Sequence, residues 1–383
     1  MKRTTVTLAI ALLLAGSVAA QMGKRVTIQA GTPEDKALQE ISATTDAAKK
    51  LELLNKYIAD FGSSPAVLAG YEMLIAQYAA EKSAAKAYEA ADKALAFDPE
   101  NFNIAFSAMR AAQEAGDTPK LFHYGEILGG IVSRYKASPA PEGTETAAWA
   151  GQKQVVLSEA QNNIAYAEYA LFSTGANTKD AATKAAMLER FVLAFPDSQF
   201  AAAGATVAAD AYRQSRQGPK MVAFAEKVLA QHPNHYGMLV QLADYWVEGR
   251  ENYDKAMANA TKALEILKTA EQPANLTPEQ WAQQKNLQMG LAHAAIGQAH
   301  ALNNRYAEAV EPLKTSAALL KPWDFYYARS LYLLGFSLNR QKKAAEAKPV
   351  LAEAAALNTP FKGLAEEELA KVGGASAKKA KKR

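Results

Sequence analysis

The sequence contains no cysteine, so disulfide bonds cannot stabilise the fold and packing must do so. The same absence excludes a lipid-anchored bacterial export signal, which needs a cysteine at its cleavage point. Motifs of common catalytic and nucleotide sites are also missing: there is no glycine-rich phosphate loop and no GxSxG, GxGxxG or HExxH string. We therefore expect a protein without enzymatic activity and without a cofactor.

Histidine is scarce, at five residues in 383, and its spacing is poor for metal binding. His232 and His235 flank a proline, and His293 and His300 are predicted to share one helix face. Metal sites in proteins need more ligands at set spacings, so we interpret these histidines as turn and packing residues and expect no metal site. The run 366–368 of three glutamates predicts a solvated helix face, not an acid–base pair.

Positive charge is concentrated at the two ends of the chain. The formal net charge is +4; without Lys2 and Arg3 it is +2, and without the five positive residues at the end it is −3 for the body. An acidic body gives no reason to expect nucleic-acid binding. The charged residues of the end, which form a possible contact for an anionic surface, are Lys378, Lys379, Lys381, Lys382 and Arg383.

The first twenty residues have the pattern of a secretory signal peptide. Lys2 and Arg3 precede an apolar stretch over 6–15, and small residues precede Gln21. An apolar core of about ten residues spans only about 15 Å as a helix, against about 30 Å of hydrocarbon in a bilayer. We therefore expect cleavage near Ala20–Gln21, no transmembrane segment in the mature chain, and a periplasmic or extracellular location.

Between the ends, alanine is abundant and a pattern returns about every 34 residues. Residues 68–101 and 328–358 show it most clearly, with large apolar residues in a first helix and alanines in a second. A period of this length is typical of stacked helical hairpins, none of which buries its apolar face alone. The pattern predicts an all-α chain.

The unit at 68–101 resembles the tetratricopeptide repeat, whose pattern places aromatic, small and proline residues at fixed positions. It departs from the pattern with Ile75 at position 8 and Ala91 at position 24. The matching residues are Tyr71 at position 4, Leu74 at 7, Tyr78 at 11, Ala87 at 20, Ala94 at 27 and Pro99 at 32. The resemblance implies a right-handed superhelical solenoid of stacked antiparallel helix hairpins; a less regular helical-hairpin solenoid is the alternative.

Further units begin at Ala202, Gly237, Gly290 and Ala328, and the resemblance covers about 340 residues, strongly in four units. The predicted organisation is a signal peptide at 1–20, a linker at 21–33, N-terminal hairpins at 34–128, an insertion loop at 129–150, central hairpins at 151–268, a second insertion loop at 269–276, C-terminal hairpins with a capping helix at 277–372, and a disordered basic tail at 373–383.

In tetratricopeptide proteins the first helix of each hairpin lines a groove, mainly at positions 2, 5, 9 and 12. Aromatic, arginine and amide residues at these positions suit an extended or helical peptide, although the aromatics could instead pack against a neighbouring hairpin. Glu72 and Ala76 stand where some family members carry a clamp for a C-terminal carboxylate, so that clamp is not expected. The predicted groove residues are Thr206, Asp210, Arg213, Gln241, Tyr245, Arg329, Tyr332, Phe336 and Asn339.

The sequence therefore predicts a non-catalytic scaffold or adaptor of the bacterial envelope that binds a protein partner in its groove. One alternative is an envelope-surface binder that contacts anionic lipid or cell-wall polymer through its basic tail. A second alternative is a hydrolase fused to a solenoid. The sequence does not identify the partner.

Overall fold

The computed structural model describes residues 22–24, 26–273 and 276–380, with side chains described up to residue 372. Within these residues the chain is all-α and contains no β-strand, as its composition and period predicted. The helices are α1 (Pro33–Ala43), α2 (Ala47–Asp60), α3 (Val67–Ala80), α4 (Ala84–Phe97), α5 (Phe102–Glu114), α6 (Thr118–Ala137), α7 (Thr146–Asn177), α8 (Ala181–Ala194), α9 (Ala201–Gln214), α10 (Gly218–Gln231), α11 (Tyr236–Gly249), α12 (Tyr253–Thr269), α13 (Pro278–Leu302), α14 (Tyr306–Leu320), α15 (Asp324–Arg340), α16 (Ala344–Ala356) and α17 (Lys362–Ala380).

The chain divides into two compact units, Met1–Thr174, here called unit 1, and Gly175–Arg383, called unit 2. In unit 1 the pairs α1–α2, α3–α4 and α5–α6 pack as hairpins, and the first helices α3 and α5 contact each other. In unit 2 the hairpins are α9–α10, α11–α12, α13–α14 and α15–α16, and each first helix contacts the next one. The predicted stack of helical hairpins is confirmed.

Glycine at repeat position 8 lets the two helices of a hairpin approach closely. A Cβ on Gly297 of α13 would lie 2.5 Å from Leu313 Cγ of α14, and a Cβ on Gly335 of α15 would lie 2.5 Å from Leu351 Cγ of α16. Both leucines are fully buried. The same close contact thus recurs in two hairpins, since only glycine leaves room for a leucine at position 24.

The turns inside the hairpins repeat a left-handed residue that the sequence did not reveal. Five of the six residues concerned are not glycine, although this conformation is unfavourable for residues with a Cβ. They are Lys82, Gly116, Arg216, Arg250, Asn304 and Lys342, with φ between +57° and +69°. In the units that begin at Leu68, Ala202, Gly290 and Ala328, this residue is position 15. The repeat is therefore visible in the backbone as well as in the side-chain pattern.

The insertion loop expected at 129–150 is much shorter in the structure. Helix α6 continues to Ala137 and α7 begins at Thr146, so only residues 138–145 connect them. Gly129 and Gly130 suggest a break in the sequence, but Gly129 is buried on a helix whose Leu128 and Ile131 are fully buried. Burial of these neighbours outweighs the helix-breaking tendency of glycine, which is worth only about 1 kcal/mol.

Helix α7 opens the central segment predicted at 151–268, and it begins earlier than expected, at Thr146. It runs without a break for 32 residues. Its buried residues follow a helical period: Val156, Ala160, Ile164, Ala167 and Leu171. The second connection lies close to its expected position, between the end of α12 at Thr269 and the start of α13 at Pro278. Residues 274–275 of this connection lie outside the described residues.

The ends of the chain differ from expectation where the structure describes them. The helical backbone of α17 continues through the predicted tail to Ala380, which suits the alanine and lysine content of that segment. Residues 1–21 and 381–383, which include the predicted signal peptide and Lys381, Lys382 and Arg383, lie outside the described residues. Glu368, expected on a solvated face, is 2% exposed and bonds to Asn339 and Lys371.

Candidate functional site

The nine predicted groove residues all lie on first helices of unit 2, namely α9, α11 and α15. The structure joins four of them, Asp210, Arg213, Gln241 and Arg329, to two carboxylates that the prediction did not include, Asp244 and Glu248. These six side chains are called the ionic network below.

Arg213 and Arg329 hold the ionic network together. Arg213 donates from Nη1 to Asp244 Oδ2 at 3.0 Å and from Nη2 to Glu248 Oε2 at 2.6 Å. Arg329 donates from Nη2 to Asp244 Oδ1 at 2.7 Å and from Nη1 to Glu248 Oε1 at 3.1 Å. Gln241 accepts from Arg213 at 3.2 Å and donates to Asp210 at 3.0 Å. Each carboxylate of α11 is therefore shared by arginines from α9 and α15.

The centre of the ionic network is removed from water, whereas Asp210 and Glu248 are exposed at its edge. Arg329 and Asp244 are each 3% exposed. Burial alone would raise the pKa of Asp244, but Arg329 and Arg213 hold it below its ordinary value. The pKa of Glu248 is raised, because burial and the charge of Asp244 together outweigh the two arginines. Burial likewise raises the pKa of Asp210.

These contacts change the interpretation of the unit 2 groove. Arg213 and Arg329 are bonded to Asp244 and Glu248, and Gln241 is bonded to Arg213 and Asp210. These polar groups are therefore not free to bind a peptide. Asp244 occupies position 8 of the unit that begins at Gly237, where the family pattern has a small residue. That departure was the signal in the sequence that could have revealed the ionic network.

The remaining predicted groove residues also pack within unit 2. Tyr332 and Phe336 have ring centroids 6.2 Å apart, and Tyr332 lies 6.3 Å from the ring of Phe361. Tyr245 packs over the first residue of α10, since a Cβ on Gly218 would lie 2.2 Å from its hydroxyl. Thr206 donates to the Ala202 carbonyl of its own helix at 3.1 Å. The packing alternative therefore holds for these aromatic residues.

An open pocket of about 430 Å³ lies instead on the first helices of unit 1. It is called the unit 1 pocket. Helices α3, α5 and α7 supply its walls, and residues before α1 close one end. Its lining mixes apolar, amide and carboxylate groups: Met22, Val26, Leu68, Ala69, Glu72, Asn101, Phe102, Asn103, Ile104, Val156, Glu159, Ala160 and Asn163.

Glu72 of α3 and Glu159 of α7 are the only ionisable residues of this lining. Over the described part of the chain, neither carboxylate has a hydrogen bond or an ion pair. Glu72 is an exposed residue, yet partial burial of its carboxyl group raises its pKa. The pocket therefore presents unneutralised negative charge beside apolar surface, an arrangement that favours a cationic ligand group.

Beyond Asn163, the same face of unit 1 carries aromatic residues. Tyr166 of α7 is 41% exposed, donates to Gln113 Oε1 at 2.7 Å and lies edge-on to Phe106 of α5 at 5.9 Å. The guanidinium of Arg110 lies 5.9 Å from the Tyr166 ring. The pocket thus continues into a partly exposed aromatic surface formed by α5 and α7.

The structure describes no metal site among its histidines and carboxylates. Across residues 22–24, 26–273 and 276–380, no group of three such residues could hold a metal ion. His235 instead accepts the Met238 main-chain N–H at 3.2 Å and caps α11. Among the helices in these ranges, none is long and apolar enough to cross a membrane.

No family model and no curated protein sequence matches the chain. Among solved structures, it is similar to the APC/C hetero-tetramer Cut9–Hcn1, with 12% identity and a TM-score of 0.40, over 88% of this chain and 62% of that chain. It is similar to yeast Tom70, with 13% identity and a TM-score of 0.34, over 91% and 95%. It is also similar to a tetratricopeptide repeat protein from Parabacteroides merdae, with 11% identity and a TM-score of 0.27, over 88% and 98%. The chain spans less than two thirds of the Cut9–Hcn1 chain.

Proposed function

We propose that this chain is a non-catalytic scaffold that binds a segment of a partner protein in the unit 1 pocket. The observation that carries the proposal is the pair Glu72 and Glu159. These carboxylates come from different helices, line one open pocket and have no partner among the described residues. A lysine or arginine of the partner would pair with them, so the partner segment is basic.

The rest of the lining supports an extended peptide. The amides of Asn103 and Asn163 can both donate to and accept from the main chain of such a segment. Val26 and Ala69, which are only partly buried, offer apolar contact for an aliphatic side chain. Further along the face, Tyr166 and Phe106 provide aromatic surface, which is common where interfaces carry most of their binding energy.

A peptide array tests this proposal even though the partner is unidentified. Short extended peptides that vary only in charge are probed with the full chain and with the variants Glu72→Lys and Glu159→Lys. We expect peptides with lysine or arginine to bind, and each variant to weaken that binding by about tenfold or more, equivalent to about 1.4 kcal/mol.

The matched control is Glu52→Lys, which makes the same charge change at an exposed position of α2 outside the pocket lining. It should leave peptide binding nearly unchanged, apart from a weak long-range electrostatic effect that added salt screens. Equal losses in all three variants, or preferential binding of acidic peptides, would overturn the proposal.

We also propose that the scaffold acts in the bacterial envelope after export. The pattern of Lys2, Arg3 and the apolar stretch 6–15 supports this location. N-terminal sequencing of the protein from an envelope fraction should begin at Gln21. A chain that keeps its first twenty residues and stays in the cytoplasm would contradict the proposal.

No observation in the described part of the chain favours either alternative function, the envelope-surface binder or the hydrolase. Lys378 and Lys379 lie on the backbone of α17, while the other residues of the proposed tail contact are outside the described residues. Binding to anionic vesicles before and after removal of residues 375–383 remains the test of the surface-binder alternative.

A further inference from the structure

Residues 22–24 are held against the turn between α4 and α5, at one end of the unit 1 pocket. The Phe102 main-chain N–H donates to the Met22 carbonyl at 3.4 Å, and the Lys24 main-chain N–H donates to Asp98 Oδ2 at 2.7 Å. Met22 is 7% exposed. The expected linker therefore begins with a segment that is bound in place by its main chain.

The turn that holds this segment contains buried polar side chains that bond to one another. Asp98 and Asn101 are 3% and 7% exposed, and Asn101 Nδ2 donates to Asp98 Oδ2 at 3.1 Å. Asn101 also caps α5 by accepting the Ile104 N–H at 3.0 Å. A buried carboxylate needs donors to offset its lost hydration, and the main chain of Lys24 supplies one of the two donors to Oδ2.

The middle position of the segment accepts only glycine. Gly23 has φ +108°, and a Cβ there would lie 2.7 Å from Asp98 Oδ2 and 2.9 Å from Asn101 Cα. Any other residue would be strained by its backbone angle and would also collide with the floor of the site.

The third position selects lysine. Lys24 Nζ donates to the Phe97 carbonyl at 2.6 Å and lies 4.0 Å from the centroid of the Phe97 ring. The carbonyl belongs to the last residue of α4, where the helix dipole favours a cation. Three effects therefore stabilise the Lys24 ammonium group: its hydrogen bond to the Phe97 carbonyl, its contact with the face of the Phe97 ring, and the dipole of α4.

We propose that residues 22–24 are a resident ligand of this site, and that the partner segment carries the same order of apolar residue, glycine and lysine and binds by displacing them. This inference rests on the proposed function, because it takes the partner segment to lie in the unit 1 pocket. Met22 and Val26 line that pocket together with Glu72 and Glu159, so an extended segment at the α4–α5 turn also reaches the two carboxylates.

A peptide of residues 22–30, labelled with a fluorophore, tests the inference in trans. It is titrated into the full wild-type chain and into the full chain with Gly23→Ala, in which the resident segment no longer fits. We expect the variant to bind the peptide about tenfold more tightly than the wild type, whose site is occupied. A peptide that itself carries alanine in place of the glycine should not bind.

The matched control is Gly31→Ala, which has φ +83° and no atom within 4 Å of an added Cβ. It strains the backbone without blocking the site, so it should bind the peptide as the wild type does. As a second measurement, hydrogen exchange at the Lys24 amide should speed up in Gly23→Ala and in wild type with excess peptide.

Equal peptide affinity in the wild type and Gly23→Ala, or no binding to either, would overturn the inference. So would an unchanged exchange rate of the Lys24 amide in the variant. One further result would distinguish this inference from the proposed function. If peptide binding depends on Gly23 and Lys24 but not on Glu72 or Glu159, only the role of the carboxylates is contradicted.

Discussion

Arg329 of α15 donates from Nη2 to Oδ1 of Asp244 on α11 at 2.7 Å, although the two residues are 85 positions apart in the sequence and α12, α13 and α14 lie between them in chain order. Both side chains are almost fully buried. The contact joins first helices that are two hairpins apart in unit 2. It therefore stabilises the stack beyond the nearest-neighbour contacts that usually dominate repeat proteins.

Removing this arginine should destabilise the chain strongly. We expect Arg329→Met to lower the free energy of unfolding by about 3 kcal/mol or more, because Asp244 keeps its burial and loses its closest cation. Urea unfolding followed by circular dichroism measures the change. Lys93→Met is the control: its pair with Glu89 is 61% and 67% exposed, so its loss should leave the stability nearly unchanged. Equal losses would contradict this role of Arg329.

The ionic network should give the stability of unit 2 a characteristic pH dependence. The folded-state pKa of Asp244 is below its ordinary value of 3.8, so its contribution is present above that pH and is lost as the pH falls further. The pKa values of Asp210 and Glu248 are raised, from ordinary values of 3.8 and 4.5. For these two, folding disfavours the charged form, so stability rises as the pH falls through their folded pKa values towards the ordinary ones.

Glu248→Gln isolates the second effect. Thermal unfolding between pH 7 and pH 3 should show that the variant lacks the gain in stability that Glu248 contributes on mild acidification of the wild type. Asp244→Asn should instead lack the steep loss below about pH 3.8. Parallel pH profiles for the wild type and both variants would show that the network does not control the dependence.

Glycine in place of a left-handed turn residue should stabilise the fold. Lys342 has φ +64°, and this conformation costs a residue with a Cβ about 1–2 kcal/mol. We expect Lys342→Gly to raise the free energy of unfolding by about 0.5–1 kcal/mol after the entropy of the unfolded glycine is counted. The neighbouring change Lys343→Gly, at φ −86°, should give no gain. A gain of similar size at both positions would contradict the turn geometry.

Alanine at repeat position 8 should destabilise a hairpin. Gly335→Ala places a methyl group 2.5 Å from Leu351 Cγ, and overpacking of this kind costs about 1–3 kcal/mol. Gly363→Ala is the matched control on α17, where an added Cβ meets no atom within 4 Å. It should be neutral or stabilising by up to about 1 kcal/mol, which differential scanning calorimetry resolves as a rise in Tm.

The sequence was sufficient for the hairpins because their packing is local. Small residues such as Gly335 and large ones such as Leu351 stand at fixed repeat positions, and each pair meets within one unit of about 34 residues. The extent of α6 and α7 was harder to predict, because Gly129 and Gly130 suggest a break that burial of Leu128 and Ile131 prevents.

The candidate site depended on contacts that no local pattern specifies. The predicted groove residues Arg213 and Arg329 lie on first helices, but their partner Asp244 lies 31 and 85 residues away from them. The unit 1 pocket was not predicted, because Glu72 by itself indicates only the absence of a carboxylate clamp. Its importance depends on Glu159 of α7, a helix whose length the repeat pattern did not predict.

Site-specific photocrosslinking tests the central claim most directly, namely that the partner segment lies in the unit 1 pocket and not in the unit 2 groove. A benzophenone side chain is placed at Asn103, which lines the pocket, and in a second variant at Tyr332, a predicted groove residue of α15. Each full chain is irradiated with the tightest-binding basic peptide of the array. The account predicts a crosslink at position 103 and none at position 332. A crosslink at 332 without one at 103 would contradict it.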